Sequence, residues 1–201
     1  MIWIKDRPKL DKVLLVADDV RMLFKEASGL PISDTVKDLG KLLGNKIQWG
    51  LCGGLAVGVY ARPRGTDDVD IVLSNESVLT YVYALLSPSF RRAQDHLMVH
   101  KRTGVAVDLV TPEFVKIDPE IVTQALATTN KESYGEISIP VVSKEGLVAM
   151  KLNRGKYLDL ADIESIVKAG GNLDMSKFPL TENQRKVLEK IQNDVSNEKG
   201  Q

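Results

Sequence analysis

The 201-residue chain has one cysteine, Cys52, so no disulfide can form within it. That scarcity fits a reducing compartment, and a cytoplasmic location is the expectation. The apolar, glycine-flanked setting of Cys52 marks a buried small residue rather than a reactive thiol. Histidine is nearly as scarce. His96 and His100 have no cysteine or histidine partners at zinc-ligand spacing, so both are expected to be ordinary strand residues. Aromatic residues make up 5% of the chain and do not interleave with the basic ones, which argues against a stacking surface for single-stranded RNA. Neither sign of charge prevails: 27 basic and 27 acidic residues give a net charge of +0. Global attraction to nucleic acid is thereby excluded, and only a local basic patch remains open. No apolar run is long enough to span a bilayer, and Met1 to Pro8 lacks the apolar core of a signal peptide, so no membrane partner is expected. Internal repeats and low-complexity segments are also absent.

What the chain does have is a regular alternation of periodicities. Apolar residues at helical spacing predict a helix from Leu10 to Ala27, and Ser33 or Asp34 would cap a second one ending at Leu43 before Gly44-Asn45. Ile47 to Cys52 reads as a buried strand, turned by Gly53-Gly54 into a helix over about Leu55 to Tyr60. Strands are then expected at Asp68 to Leu73, Phe90 to Gln94, Leu97 to Lys101, Val105 to Val110 and Ile137 to Val142. Helices are expected at Ser77 to Leu86, Pro119 to Ala127, Ser143 to Asn153, Leu158 to Lys168 and Thr181 to Val195. The implied fold class is α/β with an antiparallel component (α+β). Residues 1–46 would supply helices packed on a core at 47–142, and 143–201 a helical segment that completes the site.

The chemistry gathers around Arg64-Gly65-Thr66-Asp67-Asp68-Val69-Asp70. A strand puts residues i and i+2 on one face, so Asp68 and Asp70 point together while Val69, Ile71 and Leu73 face the other way. Two like charges held side by side are costly unless a cation lies between them, and Mg²⁺ suits hard carboxylate oxygens. Asp108 lies in a second apolar strand, where an acid is rarely left without partners. If the two strands pair, three carboxylates meet, enough for two divalent ions. Gly53-Gly54, at a strand-to-helix turn, lets backbone amides approach a phosphate. A plain tight turn and a solvated Asp-x-Asp strand are the bland readings of these features. Their order and joint presence, with Arg64 and Thr66 just ahead of the acids, favour the functional one. Arg62, Arg64, Arg91, Arg92, Lys101 and Arg102 form either a basic rim that steers a phosphate-bearing ligand or an ordinary solvated surface.

The order Gly-Gly followed by Arg-x-Thr-x-Asp-Val-Asp, with a third acid on a later strand, resembles the nucleotidyltransferase-fold superfamily. The resemblance implies a nucleotidyltransferase-like mixed sheet flanked by helices. It makes Asp68, Asp70 and Asp108 ligands of Mg²⁺ or Mn²⁺, and sets Gly53 and Gly54, with Arg64 and Thr66 beside them, against a nucleoside triphosphate. The segment Val148 to Ile163, with Lys151-Leu152 and Asp159-Leu160-Ala161-Asp162-Ile163, is similar to a region of the AbiEii-like group, which includes toxins of toxin–antitoxin systems. That likeness implies that Lys151 and Asp159, with Asp162 as the alternative acid, complete the site. An ion-paired helix surface is the bland reading of the same residues. The implied activity is transfer of a nucleotidyl group to a hydroxyl on RNA, tRNA or protein, with an antitoxin protein as a further partner. The alternatives are a small-molecule transferase of the antibiotic-modifying kind and a non-catalytic nucleotide- or partner-binding module. Two features depart from the family pattern. Gly53-Gly54 replaces a common Gly-Ser, and two apolar residues, Tyr157 and Leu158, separate Lys156 from Asp159.

Overall fold

The computed structural model describes residues 31–62, 64–134 and 136–199. The helix expected over Leu10 to Ala27 lies outside them. Helix α1 spans Pro31–Leu43, two residues ahead of the expected caps, because Pro31 occupies the first turn, where its missing N–H costs nothing. Its buried residues Ile32, Val36, Leu39 and Leu43 recur at helical spacing. Gly44 then takes φ 47° and returns its N–H to the Gly40 carbonyl at 2.9 Å.

Seven strands form one mixed sheet: β1 (Trp49–Cys52), β2 (Asp68–Leu73), β3 (Phe90–Gln94), β4 (Leu97–His100), β5 (Ala106–Val110), β6 (Asn130–Tyr134) and β7 (Ile137–Val141). Their spatial order is β3-β4-β5-β2-β1-β7-β6. β2 lies at the centre, antiparallel to β1 and parallel to β5, and β1 is also parallel to β7. The register pairs Asp70 with Cys52 on one side and with Asp108 on the other. Adjacent strands lie ~4.8 Å apart, so this pairing gathers the acids at one point of the sheet.

The helices follow the expected places with informative shifts. α2 (Gly53–Tyr60) starts at the first glycine of the turn. A 3₁₀ turn at Glu76–Val78, capped by the Asn75 side chain, precedes α3 (Leu79–Leu86). A short helix, α4 (Pro112–Val115), and the strand β6 were not expected. α5 (Pro119–Ala127) is followed across β6 and β7 by α6 (Lys144–Arg154), α7 (Tyr157–Ala169) and α8 (Glu182–Lys199). One buried apolar cluster runs from Ile32 to Leu188 and includes Val69 and Ile71 of β2, each 0% exposed. Among the described residues no helix is long and apolar enough to cross a membrane.

The histidines are structural. His96 sits in the turn before β4 rather than in a strand. Its ring stacks on Phe114 at 3.8 Å, with Nδ1 3.0 Å from the Leu109 carbonyl. His100 bridges Asp38 of α1 (3.0 Å) and Thr103 (2.7 Å), tying α1 to the β4–β5 turn.

Candidate active site

A cavity of about 350 Å³ opens where β1 ends and β2 begins. Its walls include Gly53 and Gly54 at the start of α2, Arg64 and Thr66 from the loop, Asp68 and Asp70 of β2, Asp108 of β5, and Lys151 and Arg154 of α6. All the expected site residues except Asp159 and its alternative, Asp162, therefore line one space.

Burial sets the electrostatics on the carboxylate wall. Desolvation, together with the like charges of Asp68 and Asp108, pushes the Asp70 carboxyl up to about 7. Arg154 and Lys151 pull in the opposite direction and only partly offset this. The Thr66 hydroxyl donates to Asp68 Oδ1 at 2.8 Å, fixing that side chain at the cavity rim. Cys52, opposite Asp70 across the β1–β2 ladder, is buried, and both burial and Asp70 push its thiol pKa up. It is held as a neutral packing residue, unsuited to nucleophilic work.

Both glycines are required by what lies next to them. Gly53 has φ 64°, and a Cβ there would fall 2.5 Å from Asp70 Cγ. At Gly54 a Cβ would meet the Arg64 guanidinium, with Cζ, Nη1 and Nη2 all 3.2 Å away. In this chain an arginine thus crowds the position where the resembled family often carries a serine.

The cationic wall is braced from behind. Lys151, 5% exposed, donates to Asp162 Oδ2 at 2.7 Å and lies 3.5 Å from Asp159 Oδ1. Arg64 grips the same Asp162 with two bonds, Nε to Oδ1 at 2.8 Å and Nη2 to Oδ2 at 3.2 Å. Arg154 clamps Asp159 through Nε to Oδ2 at 2.8 Å and through Nη2 to Oδ1. Asp159 also accepts the Lys156 N–H at 3.1 Å, capping α7. Burial raises the Asp159 carboxyl, but Arg154, with Lys151 and the Lys156 N–H, more than reverses this and leaves it below its ordinary value. The Arg64 and Arg154 pKa values lie above the ordinary arginine value because the hydrogen bonds and charge of their carboxylate partners outweigh desolvation. Of the two candidate acids, Asp162 joins Lys151 to Arg64, whereas Asp159 joins Lys151 to Arg154 and caps α7.

The proposed basic rim is not assembled. Arg102 pairs with Asp34 of α1 at 2.7 Å, Arg92 pairs with Asp95, and Lys101 donates to the Ser87 carbonyl at 2.6 Å. Only Arg64 of that set lines the cavity. Arg154 and Lys156 line it as well and were not singled out from the sequence. Arg154 lies one turn beyond Lys151 on α6, and Gly155 at φ 65° ends the helix directly after it. That helical i, i+3 spacing was the available signal.

Among the described residues, no group of three His, Cys, Asp or Glu side chains is arranged to hold a metal ion by itself. The donor chemistry nevertheless fits a hard divalent cation. Asp68, Asp70 and Asp108 offer only oxygen, and their mutual repulsion at Asp70 is what a cation relieves. Mg²⁺ commonly takes one or two carboxylates and completes its shell with water and substrate phosphate.

The mixed sheet flanked by helices is a nucleotidyltransferase-like fold. An antigenic nucleotidyltransferase-like protein from Paracoccidioides brasiliensis superposes with a TM-score of 0.59 at 17% identity, over 92% of this chain and 93% of that one. A Thermotoga maritima CCA-adding enzyme, solved with tRNA, aligns at a TM-score of 0.36 and 15% identity, over 86% of this chain and 44% of that enzyme. No protein-family model matches the sequence, and no curated protein matches it significantly.

Proposed function

We propose that the protein is a nucleotidyltransferase that binds a nucleoside triphosphate and joins its nucleotidyl group to a hydroxyl acceptor. One observation carries this reading: a glycine turn at a helix start, three strand carboxylates and the cations of α6 converge on a single cavity. In the proposed complex the triphosphate lies against the Gly53-Gly54 turn, where the α2 N-terminus favours negative charge. Lys151, Arg154 and Arg64 face its phosphates, and Thr66 keeps Asp68 oriented. Asp68, Asp70 and Asp108 would hold Mg²⁺ or Mn²⁺, which when bound supplies charge neutralisation on the phosphates. The acceptor oxygen forms a bond to the α-phosphorus, and the bond from that phosphorus to the bridging oxygen breaks, releasing pyrophosphate. Asp108 takes the acceptor proton.

The finer reading is a toxin-type enzyme of the AbiEii-like kind, acting on RNA, tRNA or protein and restrained by an antitoxin. It rests on the resemblance of the segment containing Lys151, Asp159 and Asp162. The buried links from Lys151 to Asp162 and Asp159 support a joint role for these residues. The non-catalytic alternative draws on the absence of a preformed three-ligand metal set among the described residues. Incubation with α-labelled triphosphates, Mg²⁺, and total RNA or cell lysate separates the two. Transfer of label to an acceptor, lost in Asp70→Asn, is expected. Equal background from the wild type and Asp70→Asn would refute the enzyme reading.

A further inference from the structure

Three of the four large apolar side chains that stand exposed among the described residues lie within four positions at the start of α7: Tyr157 at 90%, Leu158 at 50% and Leu160 at 37%. Ala161 beside them is exposed as well. Tyr157 and Leu158 are also the pair that departs from the resembled family pattern. Apolar side chains gathered on one face cost free energy in water and mark an interaction surface.

Helical spacing divides α7 into two sides. Asp159, Asp162, Ile163 and Ile166 turn inward and are buried. Tyr157, Ala161, Glu164 and Lys168 recur at i, i+4, i+7 and i+11 along the outer stripe, with Leu158 and Leu160 on its flanks. Charge along that stripe says what covers it. At its N-terminal end stands Lys156, exposed and without an ion pair among the described residues. About 12 Å further along the axis, Glu164 and Glu198 of α8 share Lys168 at 2.7 and 2.9 Å, so carboxylates outnumber the ammonium there. The face is thus basic at one end, apolar in the middle and acidic at the other. Such a face complements itself when reversed.

We infer that this side of α7 is a self-association face, covered by a second copy of the chain in an antiparallel, two-fold arrangement. The reversed copy brings Lys156 of each chain to Glu164 of the other, whereas a parallel copy would set like charges together. Antiparallel helices also oppose their dipoles favourably. Tyr157 of each chain packs over Leu160 and Ala161 of the other, and the small Ala161 lets the helices approach closely. Leu158 also lines the cavity of about 350 Å³, so the seam runs along the cavity mouth and the second copy closes one side of it. The seam is short, which places the dimer in the weak, concentration-dependent class. The pairing is independent of what the cavity holds, and its test needs no substrate.

Sedimentation velocity of the full chain over a concentration series provides that test. The wild type is compared with Tyr157→Ser, Lys156→Glu, Glu164→Lys and the double variant Lys156→Glu/Glu164→Lys. The wild type is expected to pass from one copy to two as concentration rises. Tyr157→Ser should weaken association by about tenfold or more. Each single charge reversal sets like charges across the seam and should weaken it about tenfold, and the double variant should recover to within about threefold of the wild type. Thermal midpoints at low concentration should be unchanged in Tyr157→Ser and Lys156→Glu, whose side chains are exposed, which shows that these variants fold. A monomer at every concentration overturns the inference, and is the result if the face serves a different protein or another segment of this chain. A dimer unmoved by Tyr157→Ser overturns it too, as do charge reversals that fail to recover in combination.

Discussion

Gly53 and Asp70 occupy adjoining space: a Cβ at position 53 would fall 2.5 Å from Asp70 Cγ and 2.8 Å from Asp70 Cβ, and the residue also holds φ 64°. The glycine turn and the aspartate strand are therefore one unit. Gly53→Ala combines backbone strain with displacement of Asp70, and a loss of about 1–3 kcal/mol is expected in denaturant unfolding, together with loss of triphosphate binding. Gly54→Ser is the contrast. Its Cβ meets the end of a flexible arginine at 3.2 Å, so stability is expected to change by less than about 1 kcal/mol while Arg64 moves aside.

The Asp70 carboxyl gives a pH signature. Its folded pKa of about 7 lies above the ordinary value of 3.8, so the folded state binds the proton more tightly than the unfolded state. With divalent cations chelated, stability is expected to fall as pH rises from about 4 to about 7 and to level off above that, by on the order of 2–4 kcal/mol. Asp70→Asn should remove most of this slope. Urea unfolding across that pH range reads both curves, and identical slopes would refute the assignment to Asp70.

Lys151 joins two acids in a nearly dry setting, so cutting it leaves Asp159 and Asp162 short of a partner. Lys151→Ala is expected to cost roughly 3–5 kcal/mol in denaturant unfolding. Asp162→Asn should be milder in stability but should release Arg64, visible as a loss of triphosphate affinity. Asp159→Asn removes the α7 cap and also frees Arg154, so it should cost both stability and triphosphate affinity. Triphosphate affinity unmoved by both aspartate variants would contradict this bracing role.

The residues that could be read from the sequence are those whose periodicity matches their burial. Strand β2 was bounded as expected because Val69 and Ile71 are buried on one face while Asp68 and Asp70 alternate with them. Strand β6 carries no such signal: Asn130-Lys131-Glu132-Ser133 is a polar edge strand, defined by its pairing to β7 and not by its own composition. The carboxylates and glycines were legible because a strand period and a turn place them locally. The link between Arg64 and Asp162 spans 98 positions, and no local pattern encodes it. The basic rim failed for the same reason, since Arg102 finds Asp34 68 positions away. Choosing Asp159 over Asp162 depended on helix facing at a junction whose geometry is set by Gly155 and by the Lys156 cap.

Gly40 tests how α1 is held. A Cβ there would lie 2.7 Å from Ile137 Cγ2 and would also press on Ile139 Cδ1, both on β7. Alanine normally improves a helix interior by about 1 kcal/mol over glycine. Here Gly40→Ala is expected to destabilise instead, by roughly 1–3 kcal/mol through overpacking, as read by thermal unfolding.

The central claim is that the cavity beside Gly53-Gly54 and Asp70 holds a nucleoside triphosphate. A crystal structure grown with a non-hydrolysable triphosphate and Mg²⁺ addresses it most directly. The expected result is phosphate density against Gly53 and Gly54, a cation on Asp68 and Asp70, and Lys151 or Arg154 on the phosphates. A triphosphate bound elsewhere, or a cavity holding only water at saturating ligand, would contradict the account.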